Sequence, residues 1–292
     1  MAGGAVSSRA PWRPVAEDES VERVRFGPFL VREVVQRPDG SLLVYRSRRQ
    51  RKGLPPQVEG QAPAHRRVVW APSSLGWWVS VLFMIGSFCF ALGAVPGLSS
   101  VLSASVIGLI FFVGSIFFTS AGYAQFVQSI NAGRDPGAKL RLLAFQPRRI
   151  DWWACAVQSV GTLWFNVNTF NAMRSGFSTQ EELLRVWTPD FVGSICFLVA
   201  SELAIIEVCH HWFSWRERGT EWWIVVLNMV GSIFFMISAI AAWIVPDTGD
   251  LLDASLANSG TFLGAVCFLL GARLLLDELA ASEPPPAAAA QT

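Results

Sequence analysis

Apolar residues run in six long windows, about 75–95, 103–126, 152–173, 189–208, 222–245 and 256–276, and the stretches between them carry most of the charge. Each window is close to the ~20 residues with which an α-helix spans ~30 Å of hydrocarbon. None alternates with period two, so they read as helices rather than as barrel strands. A shorter pattern precedes them. Residues 29–36 and 41–46 are rich in Val and Leu and flank Arg37-Pro38-Asp39-Gly40. Pro sets φ, Asp bonds back to the backbone and Gly takes φ > 0, so this is a turn, and the segment predicts a β-hairpin. An isolated hairpin is marginal in water, so it should dock on the bundle or on headgroups.

The windows repeat. Trp77-Trp78 leads to Gly86-Ser87, Trp152-Trp153 to Gly161-Thr162 and Trp222-Trp223 to Gly231-Ser232, at the same interval each time. Each is followed by a second apolar run with its own signature: Phe112-Val113-Gly114-Ser115, Phe191-Val192-Gly193-Ser194 and Phe262-Leu263-Gly264-Ala265. Three tandem copies of a two-helix unit follow. The predicted fold class is all-α: a six-helix transmembrane bundle of three tandem helical hairpins about an approximate threefold axis, with a small cytoplasmic N-terminal β-hairpin. Residues 1–20 are expected to be disordered, 21–53 to hold the hairpin and a basic segment, and 54–74 to be a linker. The transmembrane hairpins are 75–126, 152–208 and 222–281, joined by loops 127–151 and 209–221, with a disordered tail over 282–292.

Composition agrees. The chain has 292 residues, is 52% hydrophobic and is only 15% charged, against roughly 25% charged in soluble domains. A formal net charge of +1 predicts no nucleic-acid partner. The basic residues concentrate before the first window and in the second–third and fourth–fifth connections, whereas the fifth–sixth connection holds Asp247, Asp250 and Asp253. By the positive-inside rule both termini are cytoplasmic in a multi-pass protein of the cell membrane. The Trp pairs then lie at headgroup level where the first, third and fifth helices enter. The first sixty residues show no apolar run behind a charged start, so no signal peptide is expected. Five cysteines fall in or beside apolar runs with no CxxC spacing, which predicts neither disulfides nor a metal site. Cys209-His210-His211 beside Glu207 lacks an evident fourth ligand.

Candidate chemistry is sparse. The basic segment Arg46, Arg48, Arg49, Arg51 and Lys52 reads either as an anionic-lipid patch, worth about 1 kcal/mol per basic residue near the surface, or as a topology signal alone. Residues one heptad after each Gly are small or small and polar (Gly93, Asn168 and Ser238; Ala121, Ala200 and Gly271). Each helix thus presents a seam for close packing in lipid, and Gly260-x-x-x-Gly264 adds another contact of this kind. Gln158 and Asn228 lie just before their glycines, with Phe83 in the equivalent place of the first copy. Together with Asn168 they read as a hydrated solute site or as interhelical hydrogen bonds. Glu202 and Arg273 are equivalent positions of adjacent copies. They read as an ion pair between copies, as a snorkelling Arg with a solvated Glu, or as part of a transport path. Gln128, Glu207 and Glu278 recur at the cytoplasmic mouth. No nucleophile-elbow, Walker, Rossmann or HExxH motif occurs, so neither enzyme activity nor a cofactor is expected.

The cassette of aromatic residues, an amide, G-[ST]-x-x-F and then F-x-G-[SA]-x-x-F covers Trp77–Phe118, Trp152–Phe197 and Trp222–Phe268. It resembles the YrhK-like family of small bacterial membrane proteins, most closely in the third unit; the first departs with Phe83 in place of the amide. The resemblance implies the membrane class and no catalytic residue. The function expected is a non-enzymatic membrane protein with a structural or regulatory role, in contact with the lipid bilayer. The alternative is a small-solute transporter or channel with a polar site between the repeats. A continuous polar cavity reaching Asn168 and Glu202 would favour transport, and a dry, closed bundle the first reading.

Overall fold

The computed structural model describes residues 20–52, 57–58, 70–132, 134, 138–212, 214–215 and 219–280. The segments expected to be disordered at either end, and most of the linker over 54–74, lie outside the described residues. Strands β1 (Ser20–Phe26), β2 (Phe29–Gln36), β3 (Leu42–Arg46) and the two-residue β4 (Gln57–Val58) form one antiparallel sheet in the order β1-β2-β3-β4. The expected hairpin is thus the centre of a wider sheet, to which β1 adds a strand. The β2–β3 turn follows its sequence chemistry. Gly40 has φ +81°, and the Ser41 amide donates to Asp39 Oδ1 at 2.8 Å. That bond and one from the Ser41 hydroxyl hold the Asp39 carboxyl below its usual pKa.

Helix α1 (Ser47–Arg51) leads on from β3, and the long helices follow: α2 (Leu75–Gly93), α3 (Ala104–Asn131), α4 (Ile150–Ala172), α6 (Thr188–Cys209), α7 (Thr220–Ala241) and α8 (Ala254–Ala280). A short α5 (Thr179–Glu182) and a π-helical turn over Leu183–Trp187 run straight into α6. The π turn has a local cause: Pro189 has no N–H to donate to the Arg185 carbonyl, and the Thr188 hydroxyl reaches Leu183 O instead.

Among the described residues, five helical segments are long and apolar enough to cross a membrane: Leu75–Gly93, Ala104–Asn131, Thr179–Cys209, Thr220–Ala241 and Ala254–Leu279. The expectation of six apolar spans is therefore met by five. The exception is α4, which carries Gln158, Asn166, Asn168 and Asn171.

Each long helix packs against the next, α2 on α3 through to α7 on α8, and α2 also packs on α8, so the six close into a ring. Within the pairs α2–α3, α4–α6 and α7–α8 one contact recurs in both directions. A Cβ at Gly86 would lie 2.6 Å from the Phe118 ring, and one at Gly114 would lie 3.0 Å from the Phe90 ring. The same exchange joins Gly161 to Phe197 and Gly193 to Phe165, and Gly231 to Phe268 and Gly264 to Phe235. Each Phe occupies space that only a glycine leaves open, as expected where close backbone approach drives helix association. The six rings, one per helix, meet inside the bundle. Phe90 touches Phe235, and Phe118 touches Phe268, across the ring rather than along it. The rings form one buried aromatic layer.

The sheet covers one end of the bundle. Val31 of β2 is buried against Ile150 of α4 and Ile206 of α6, with Phe26 and Phe29 alongside. Docking on the bundle is thus how the sheet escapes the marginal stability of an isolated hairpin.

Candidate functional site

Between the aromatic layer and α1 lies a cavity with an open mouth. Its floor is Phe83, Phe197 and Phe268. Above the floor, side-chain amides of Gln125, Gln128, Gln158 and Asn228 face inward, with the hydroxyls of Ser80 and Ser201. Ser80 donates to Gly76 O, Ser201 pairs with Ser232 across α6 and α7, and Gln125 donates to Cys155 Sγ. The amides of Gln128, Gln158 and Asn228 make no hydrogen bond to protein among the described residues and are open to the cavity. They can therefore bond to a guest without first breaking a protein contact.

The mouth is closed in part by α1. Arg48 Nε donates to Glu278 Oε1 at 3.0 Å and Arg48 Nη2 to Oε2 at 3.2 Å, and Lys52 Nζ also donates to Oε2. Arg48 and Glu278 are 3% and 4% exposed, so this is a buried clamp between the chain's N-terminal part and its last helix. Arg46 reaches Glu221 of α7 at 3.9 Å. Burial pushes the Arg49 guanidinium below its ordinary pKa, and the charges of Glu221 and Glu278 work against that shift. Among the described residues, the charged side chains of the cavity lining are Arg48 and Lys52, both held on Glu278.

The basic segment is thus turned inward. Arg48 and Arg49 are buried, Arg46 and Lys52 pair with acids of the bundle, and the Arg46 side chain keeps 30% of its surface exposed. The side chain of Arg51 lies outside the described residues.

The polar helix positions divide. Gln158 and Asn228 line the cavity. Asn168 does not: its Nδ2 donates to Val186 O at 2.9 Å, as Asn171 does to Arg185 O at 2.8 Å, so both serve carbonyls of the π turn. Asn166 donates to Thr119 Oγ1 at 2.8 Å. Of the three readings of Glu202 and Arg273, the ion pair between copies is not found among the described residues. Arg273 bonds Asp277, one turn further along α8, at 2.8 Å. Both lie half a turn from the glycine seam, which points them out of the ring, and α7 stands between α6 and α8.

Two features of the site escaped sequence reasoning. Gln125 lies on the cavity face of α3 but has no amide counterpart in the other copies. The clamp joins two segments whose separate signals, a basic run and an acid at the end of the last seam, were both visible. No family model matches the chain, and neither a curated protein nor a solved structure does.

Proposed function

We propose that this chain is a non-enzymatic, multi-pass protein of the cell membrane with a regulatory role. Three tandem helical hairpins cross the bilayer six times, both termini are cytoplasmic, and α1 closes in part a cavity open toward the cytoplasm. The observation that carries the reading is the aromatic layer. Six buried Phe rings fill the bundle between the cavity and the far face, which argues against a continuous path for solutes. Asn168 and Glu202, which a transport path was expected to include, are not among the cavity's lining residues. The outer surface supports immersion in lipid: Leu109, Leu163, Ile233 and Leu270 are exposed on four different helices. The second Trp of each pair, Trp78, Trp153 and Trp223, is also exposed, as a headgroup-level indole should be. The resemblance to the YrhK-like family supports the same membrane class.

A small-solute transporter is the second reading, favoured by the one-sided cavity and its open amides, since alternating-access proteins expose their site to one side at a time. Flux measurements test the choice. Purified chain in liposomes should pass potassium, chloride and lactate no faster than protein-free vesicles do. Protein-dependent, saturable flux of any of them would sink the regulatory reading in favour of transport.

A further inference from the structure

We infer that the cavity beside α1 binds a small organic monocarboxylate with an apolar body, its carboxylate on Arg48 and Lys52 and its body over Phe83, Phe197 and Phe268. The inference rests on the reading of the bundle as a regulatory membrane protein and names the class of ligand it responds to.

Three observations converge. First, the charged side chains in the cavity wall among the described residues are Arg48 and Lys52, two cations that share one carboxylate, Glu278. The cluster keeps one positive charge in excess, which favours an anion over a cation at this wall. Second, the structure already shows what this pair of cations holds. Arg48 grips the Glu278 carboxylate through Nε and Nη2, the planar two-point geometry in which guanidinium matches carboxylate, and Lys52 adds a third donor. A guest carboxylate repeats that chemistry from the cavity side, beside Glu278 or in its place. Third, the rest of the lining suits an apolar body with few polar groups. The floor is aromatic, and the amides of Gln128, Gln158 and Asn228 stand above it. This combination of apolar walls and a few convergent polar groups is what small-molecule sites generally show.

A guest that takes the place of Glu278 on Arg48 would also loosen the contact that holds α1 to α8. Occupancy of the cavity and seating of the sheet are then linked, so a ligand that competes with the clamp shifts the sheet toward release.

The test uses the full chain in a neutral detergent, with hexanoate as the probe and hexanamide as its uncharged match. Hexanoate should raise the melting temperature saturably by several degrees and hexanamide should not. Gln158→Leu and Asn228→Leu, which leave the clamp intact, should each weaken hexanoate binding several-fold in a calorimetric titration. Arg48→Met should abolish it, but because that variant also breaks the clamp, the two amide variants decide the matter. Equal responses to hexanoate and hexanamide would overturn the inference, as would no response at millimolar hexanoate, or undiminished binding by both amide variants. The liposome flux result is independent: a non-conducting bundle that ignores hexanoate loses this inference alone, and a conducting one that binds hexanoate loses the regulatory reading alone.

Discussion

Arg48 and Glu278 stand 230 residues apart in the chain and meet in a two-point hydrogen-bonded ion pair, both nearly fully buried. Lys52 shares the same carboxylate. Removing one partner of a buried pair leaves a charge without compensation and typically costs about 3–5 kcal/mol. Glu278→Leu strands two cations and should cost more than Arg48→Met, which leaves Lys52 on the acid. The double variant should recover part of the loss. Unfolding in detergent followed by tryptophan fluorescence measures all three. Strictly additive effects would show that the pair contributes nothing through mutual contact.

The glycines at the helix crossings give a second prediction. At Gly86 a Cβ would stand 2.6 Å from the Phe118 ring and 3.0 Å from the Gly114 carbonyl, so neither neighbour can yield without moving a helix. Gly86→Ala should cost about 1–3 kcal/mol by overpacking, and Gly231→Leu should cost at least as much. Gly219, just before α7, has no atom within 4 Å of its Cβ position, so Gly219→Ala should change stability by less than about 0.5 kcal/mol. Equal melting temperatures for Gly86→Ala and Gly219→Ala would contradict the interlock.

These two relationships differ in how far sequence reveals them. Gly86 and Phe118 belong to short motifs that recur along the chain, because lipid supplies no hydrophobic drive between helices and close packing must come from small residues at fixed spacing. The helices and their packing seams were therefore legible. Arg48 and Glu278 follow no such spacing. Only the docking of the sheet on α4 and α6 brings them together, and β1, which completes that sheet, carried no turn signal comparable to Pro38-Asp39-Gly40. Asn168 was misleading for a related reason. An amide in an apolar window looks the same whether it faces a cavity, as Gln158 does, or serves a π turn created by Pro189.

Glu202 and Arg273 supply a prediction of independence. Glu202 makes no ion pair among the described residues, and Arg273 turns to Asp277 with its side chain 44% exposed. A double-mutant cycle of Glu202→Gln with Arg273→Met should return no coupling energy. A cycle of Arg273→Met with Asp277→Asn should return about 0.3–0.5 kcal/mol, the usual size for exposed pairs one helical turn apart. Appreciable coupling in the first cycle would mean that α6 and α8 come closer than the ring arrangement allows.

The last prediction concerns α4, the long helix that falls outside the apolar set. Its polar side chains do not prevent it from crossing a bilayer if none faces lipid. Gln158 points into the cavity, Asn166 bonds Thr119 of α3, and Asn168 bonds a carbonyl of the π turn. Its exposed residues Val160, Leu163, Val167 and Phe170 instead follow one another at helical spacing, an apolar stripe on the outer face. Polar groups satisfied inside the protein and an apolar face outside are what a spanning helix requires. Crossing by α4 fixes the parity of everything that follows. With six crossings, the α2–α3 loop at Ser99, the α4–α6 connection at Ser175 and the α7–α8 loop at Thr248 share one side, opposite Lys139. With five, Ser175 joins Lys139, and Ser99 and Thr248 fall on opposite sides. Single cysteines at these four positions, probed in intact cells with a membrane-impermeant maleimide and scored above the background of the native thiols, distinguish the two. Labelling at Ser99, Ser175 and Thr248, with none at Lys139 until the cells are lysed, is the expected result. Labelling at Ser99 without Thr248 would remove α4 from the membrane and with it the symmetric three-hairpin arrangement.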